Sequence, residues 1–219
     1  MQKDKIIKVV LADDHMIIRD GLRSLLERQT DMEVVAEADN GRTAIKHVKE
    51  LLPDVVIMDI GMRELNGIDA TRQIIKMSPG VKVLALSMYS DKRFIKGMFK
   101  AGASGYMLKD SAFNELADAI RVIVEDKIYI SPSVANIVTE DYLKQSPESD
   151  RSTRSLLTSR ELEVLQLLVE GMSTKQIASS LRLSIKTIES HRSRVMKKIN
   201  VNNIADLTKY AIREGIISL

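Results

Sequence analysis

Residues 6–28 read IIKVVLADDHMIIRDGLRSLLER, and this one stretch decides the fold. Residues 6–12 are a short, apolar, largely β-branched run that stops at the acid pair Asp13 and Asp14. From Met16 the period changes, and Ile17, Gly21, Leu22, Leu25 and Leu26 fall near one face of a helix ending about Arg28. A strand that is apolar on both faces and leads into an amphipathic helix is half of a βαβ unit, because only helices on both sides of a parallel sheet bury such a strand.

The alternation repeats outward from this unit. Residues 33–38 (EVVAEA), 54–58 (DVVIM), 81–86 (VKVLAL) and 105–108 (GYML) read as further strands. Residues 43–52, 68–77, 91–101 and 112–124 read as the helices between them, with Pro53 closing the first of these. The spacing predicts an α/β fold, a doubly wound five-stranded parallel sheet of order 2-1-3-4-5, over residues 1–130. Residues 131–154 read as a linker that is part helical, over 133–143, and polar from Ser146 to Ser152.

Residues 155–219 read as a smaller, all-α domain. Thr158 with Glu161 forms a capping box ahead of Leu162, Leu165, Leu168 and Val169, and Gly171 ends that helix. Ser173 and Ser184 cap the next two, over 174–181 and 185–199, and Asn202 or Asn203 opens the last, through Ile212. A short helix, a turn at Arg182 and Leu183 and a second helix make a helix-turn-helix, with Ile177, Ala178, Leu181, Leu183, Ile188 and Val195 as its core.

The charge divides along the same line. Residues 151–219 carry 12 Lys and Arg against 6 Asp and Glu, whereas residues 1–150 carry 21 against 24. The basic part is the candidate for a polyanion. With no cysteine, disulfides, thiolate metal sites and Cys nucleophiles are excluded. No apolar run approaches the length of a membrane span, and the first residues, Met1 to Lys5, carry no signal-peptide pattern, so a cytoplasmic protein without membrane attachment is expected.

Asp13, Asp14 and Asp59 fall at the carboxyl ends of two strands that flank the switch point of such a sheet. Three converging carboxylates repel one another, and a hard divalent cation, Mg²⁺, relieves this. Ser87 and Lys109 end two further strands and bring a hydroxyl and an ammonium to the same rim. Together these are the parts needed for phosphoryl transfer to a carboxylate. His15 is read as a surface residue at a helix N-terminus, and His47 is assigned no site.

The segments Leu11–Asp14, Ile57–Ile60, Ala85–Ser87 and Gly105–Lys109 resemble the receiver domain of bacterial two-component response regulators, over residues 5–127. The resemblance implies Asp59 as phosphoacceptor. It implies Mg²⁺ on Asp14 and Asp59, supported by Asp13 and the backbone carbonyl of Gly61. Ser87 and Lys109 would bind the phosphoryl group, and Tyr106 would be the aromatic that moves on activation. Arg63 stands four residues after Asp59, where the family often has proline, so altered kinetics without loss of phosphorylation are expected. Met88 and Tyr89 are expected to restrict water access and slow dephosphorylation.

The strings at 157–165, 173–178 and 184–192 are similar to the LuxR-type helix-turn-helix, over residues 155–217. The two resemblances together point to the NarL/FixJ family of transcriptional response regulators. They imply a switch and transcription factor, not a turnover enzyme. The expected partners are double-stranded DNA, a sensor histidine kinase and a second copy of the chain when phosphorylated, with RNA polymerase as a further candidate. Thr174, Lys175, Lys186, Thr187, Glu189, Ser190, His191, Arg192, Ser193, Arg194, Lys197 and Lys198 are the candidate DNA contacts. Asp206, Leu207 and Tyr210 are the candidate dimer contacts, although receiver faces compete for that role. Two other readings stay open: a constitutive DNA-binding regulator whose receiver serves only for protein interaction, and a phosphohydrolase, which would want an acid where Gly61 stands.

Overall fold

In the computed structural model residues 6–88, 90–110, 112–144 and 157–217 are described. The expectations for Met1 to Lys5, Tyr89 and the polar segment Ser146 to Ser152 lie outside the described residues. The chain divides into two units, Met1–Lys144 and Gln145–Leu219.

In the first unit, strands β1 (Ile7–Ala12), β2 (Met32–Ala38), β3 (Val55–Asp59), β4 (Lys82–Ser87), β5 (Gly105–Leu108) and β6 (Tyr129–Ile130) form one sheet of order β2-β1-β3-β4-β5-β6, paired in parallel throughout. Helices α1 (Met16–Leu26), α2 (Gly41–Leu51), α3 (Gly67–Met77), α4 (Lys92–Ala101) and α5 (Ala112–Val124) connect them, and α6 (Pro132–Lys144) follows. Alternate residues of each strand feed two cores. Val10, Val56 and Val83 pack with Ala44 and Val48 of α2, Ile68 and Ile74 of α3 and Met98 of α4. Val9, Leu11, Val55, Ile57 and Leu84 pack with Leu22 and Leu26 of α1 and Leu116, Ile120 and Ile123 of α5. This is why the central strands read as continuous apolar runs.

Two expectations are corrected here. The sheet has six strands, not five, because Tyr129 and Ile130 pair with Gly105 and Tyr106. Two residues carry no period, so the sequence gives no sign of them. Gly105 admits this neighbour, since a Cβ on it would stand 2.9 Å from the Tyr129 carbonyl oxygen. The segment 131–144 is also part of the first unit, not linker. Val134 of α6 is fully buried in the first core, and the Ser131 N–H donates to the Tyr106 carbonyl at 3.1 Å.

The second unit holds α7 (Ser159–Val169), α8 (Thr174–Leu181), α9 (Ile185–Ile199) and α10 (Ile204–Arg213). Every expected cap forms: Thr158 with Glu161 and Ser173 with Gln176 as capping boxes, Ser184 on α9 and Asn203 on α10. Arg182 and Asn200 close α8 and α9 in the left-handed conformation. Val164, Leu165 and Leu167 of α7 are buried against Ile177, Ile188, Val195, Leu207 and Tyr210.

Glu161 does more than cap. Its carboxylate is 3% exposed and accepts from the Thr158 N–H at 2.8 Å, the Thr158 hydroxyl at 2.9 Å and the Lys198 ammonium at 2.7 Å. Burial works against its charge, but these donors outweigh burial and hold the carboxyl below the usual glutamate range. A carboxyl lowered on folding contributes stability above its unfolded pKa, about 4.3, and loses it as pH falls through the lower folded value. Acid unfolding of the chain from pH 5 to 3 is therefore expected to be shallower for Glu161→Gln than for wild type. Identical slopes in denaturant melts across that range would contradict this.

Candidate functional site

The strand order reverses between β1 and β3, and that opens a crevice beyond their carboxyl ends. Asp13 and Asp14 follow β1, Asp59 ends β3, Ser87 ends β4 and Lys109 follows β5, so the topology brings all five together. Asp13, Asp59, Ser87 and Lys109 are buried and Asp14 is half-buried. The Lys109 ammonium lies 2.6 Å from Asp13 Oδ2 and 3.1 Å from Asp59 Oδ2.

The electrostatics follow from this packing. Burial, and then the Asp13 carboxylate, push the Asp59 carboxyl up to about 6 against the pull of Lys109. Burial opposes the Lys109 charge, but Asp59 and Asp13 outweigh it and hold the ammonium above the ordinary lysine value. Tyr106 is fully buried, and its hydroxyl is hydrogen-bonded to the Ser87 side chain; burial raises its phenol. The pair expected to act as a switch is thus in contact.

The loop after Asp59 is tied down from below. The Gly61 N–H lies 3.4 Å from Asp59 Oδ1. Asn66, 2% exposed, caps α3 through the Asp69 N–H at 3.0 Å, and Arg72 bonds Asp69. Gly67 donates its N–H to the Ile60 carbonyl at 3.0 Å. Asn66 and Gly67, with Asp69 in the first turn, carry a helix-start signal that the strand-end pattern does not include. Arg63 is exposed, and Glu64 beside it has φ of 62°. Met88 is exposed at the end of β4.

His15 is the other residue missed. It caps α1 and its side chain is exposed, as read, but its Nδ1 lies 3.1 Å from Asp13 Oδ1 and 2.9 Å from Asp14 Oδ1. Among the described residues, Asp13, Asp14, His15 and Asp59 form the group able to hold a metal, with one donor atom each, all within 4.8 Å of one another. Asp14 Oδ1 is enclosed and accepts no hydrogen bond. Buried carboxylate oxygens and an orphaned acceptor are the donor set a hard divalent cation takes, so the residues fit one.

In the second unit, Lys175, Lys186, Glu189, Ser190, Arg192, Ser193, Arg194, Lys197 and Lys198 are exposed, and Thr174, Thr187 and His191 are half-buried. Glu189, Arg192, Ser193 and Lys197 line one open groove along α9 with Met196 and Asn200. His191 Nδ1 is enclosed among neighbouring atoms without a hydrogen bond, so this nitrogen packs within the unit. Lys198, expected as free positive charge, is committed to Glu161. The dimer expectation is corrected at two residues: Leu207 and Tyr210 are 0% and 4% exposed and belong to the core. A partner on α10 can meet only exposed residues such as Ile204, Ala205 and Asp206.

These features define a protein class, an acid-pocket receiver joined to a basic helix-turn-helix. Residues 9–121 match the response regulator receiver domain, and residues 155–211 match the bacterial regulatory proteins of the luxR family. The chain belongs to the NarL/FixJ-type two-component response regulators, transcription regulators with a LuxR-type DNA-binding domain. It is 34% identical to the transcriptional regulatory protein DegU of Brevibacillus brevis, over 97% of this chain and 96% of that protein. It is 36% identical to the oxygen regulatory protein NreC of Staphylococcus epidermidis, over 96% and 99%. Among solved structures it is similar to the response regulator RcsB in complex with DNA, at 28% identity, 94% and 98% coverage and a TM-score of 0.60. No helix among the described residues is long and apolar enough to cross a membrane.

Proposed function

We propose that a sensor histidine kinase transfers a phosphoryl group to Asp59 and that this modification controls DNA binding by α9. The observation that carries the reading is the meeting of Asp13, Asp14, Asp59, Ser87 and Lys109 at four strand ends, on a chain that also carries the helix-turn-helix. One Asp59 carboxylate oxygen attacks the phosphorus of the donor phosphohistidine. The new P–O bond forms as the P–N bond breaks, and the imidazole leaves with its electron pair. Asp13, Asp14, Asp59 and the Gly61 carbonyl would hold Mg²⁺, whose charge offsets that of the phosphoryl oxygens. Lys109 exchanges its contact with Asp59 for a phosphoryl oxygen, and the Ser87 hydroxyl donates to another. Both draw on groups already positioned, so little reorganisation opposes the transfer.

Tyr106 carries the change outward, since its hydroxyl is hydrogen-bonded to Ser87 and its carbonyl holds the start of α6. Phosphorylation shifts a population between a form that binds DNA weakly and one that binds it tightly and favours a homodimer. In DNA, α9 enters the major groove. Arg192, Arg194 and Lys197 meet phosphate there with Thr174 and Lys175, and Glu189 favours cytosine. Contact with RNA polymerase and a cytoplasmic location complete the reading.

The test is binding to a duplex recovered by selection from random DNA. The phosphorylated chain is expected to bind about tenfold tighter than the unmodified chain or Asp59→Asn. Equal affinities would favour the constitutive regulator instead.

A further inference from the structure

We propose that Arg19 is a positioning residue of the acid pocket: it fixes the peptide between Asp13 and Asp14 and so sets the affinity for Mg²⁺. The inference rests on the reading that the pocket binds Mg²⁺. It adds to that reading a residue that acts through the backbone alone.

The place of Arg19 follows from the helix. Side chains on a helix lean toward its N-terminus, so a long one early in α1 reaches the loop ahead of the cap. Arg19 Nη1 donates to the Asp13 carbonyl at 2.6 Å, and its Nε donates to Glu37 Oε2 of β2 at 3.3 Å. Helix stability does not account for a cation here, because the N-terminal end of the helix dipole repels one. The side chain is only 15% exposed, so Glu37 and the carbonyl, more than water, balance its charge. A guanidinium suits the task, since it stays charged and its planar fork serves both acceptors at once.

The anchors of Asp13 show what this bond does. The Asp13 N–H donates to the Ala38 carbonyl at 3.0 Å, its Oδ1 accepts from the His15 N–H at 2.9 Å, and its Oδ2 lies 2.6 Å from the Lys109 ammonium. These hold Asp13 itself. The Asp13 carbonyl belongs to the peptide that carries Asp14, and Arg19 holds that peptide. Asp14 Oδ1 lies 2.9 Å from His15 Nδ1 but accepts no hydrogen bond, so the direction of this side chain depends on its backbone. A group that orients a metal ligand governs affinity, because a ligand already in place loses less freedom on binding. A bound ion holds Asp14 by itself, so Arg19 acts on affinity and not on the loaded site.

The test uses the full chain with Mg²⁺ alone, by calorimetry, and then the rate of labelling by a small phosphodonor at saturating Mg²⁺. In Arg19→Met the Mg²⁺ affinity is expected to fall about tenfold, as when a residue behind a metal ligand is lost. The labelling rate at saturating Mg²⁺ should stay within about twofold of wild type, the pattern of a lost binding contribution. Arg19→Lys keeps a charged donor for the carbonyl and should lose only about threefold in affinity. Arg23→Met is the control. Arg23 pairs with the same Glu37 but makes no bond to Asp13 among the described residues, so its loss should leave Mg²⁺ affinity within about twofold.

Equal losses of Mg²⁺ affinity in Arg19→Met and Arg23→Met would reduce Arg19 to a residue that stabilises the fold, and would overturn the proposal. So would an unchanged affinity in Arg19→Met, or a labelling rate at saturating Mg²⁺ that falls as far as the affinity. If melts show that Arg19→Met does not fold, Arg19→Lys against Arg23→Lys decides in the same way. A wild type that binds no Mg²⁺, or an Asp14→Asn variant that binds it equally well, would overturn the reading beneath the proposal too.

Discussion

Gly67→Ala is expected to cost the first unit about 3 kcal/mol of stability and to slow phosphorylation about a hundredfold. An added Cβ would stand 2.0 Å from the Asp59 carbonyl oxygen and 2.9 Å from its carbon. Both are backbone atoms and no side-chain rotation clears them. Either α3 withdraws, breaking the Gly67 N–H bond to the Ile60 carbonyl, or the Asp59 peptide moves. Asp59 ends β3 and its carboxylate must keep its position toward Asp13, Asp14 and Lys109, so a shift of its peptide misplaces the acceptor. Denaturant melts and the rate of labelling by a small phosphodonor check the two parts. A wild-type midpoint with a wild-type rate would contradict the close approach.

The second prediction separates two adjacent lysines. Lys197→Met is expected to weaken binding to every DNA sequence and to lower the salt slope of affinity by about one, with stability unchanged. Lys198→Met is expected to cost about 2 kcal/mol of stability in the second unit. It leaves the buried Glu161 carboxylate with Thr158 alone. The value is below that of a fully buried pair because the Lys198 side chain is 39% exposed. Melts and salt titrations of both variants decide the matter, and equal behaviour in the two would contradict the assignment.

These two lysines also show what the sequence made legible. On a helix, adjacent residues point about 100° apart, and the local excess of charge around 192–198 hides that one lysine turns inward. Its partner Glu161 lies 37 residues away in a capping box, a role that already explains a glutamate there. The burial of Leu207 and Tyr210, by contrast, has a signal in the sequence. Leu207, Tyr210 and Ala211 recur at helical spacing and mark the buried stripe of α10.

The pocket was legible because its chemistry coincides with strand ends. An apolar run that stops at an acid, a serine or a lysine announces both the end of the strand and the group displayed there. What escaped was local in another sense. β6 is too short to have a period, and α6 is weakly amphipathic, so its place in the first unit depends on Val134 meeting a core assembled elsewhere. The approach of Gly67 to Asp59 and the turn of His15 toward the acid pair are properties of three-dimensional closure and leave no pattern in the chain.

The central claim is that Asp59 accepts a phosphoryl group. The direct measurement is the intact mass of the chain after incubation with a small phosphodonor and Mg²⁺, beside Asp59→Asn. One added phosphoryl group in wild type and none in Asp59→Asn is the predicted result. No addition in wild type, or equal addition in both proteins, would contradict it.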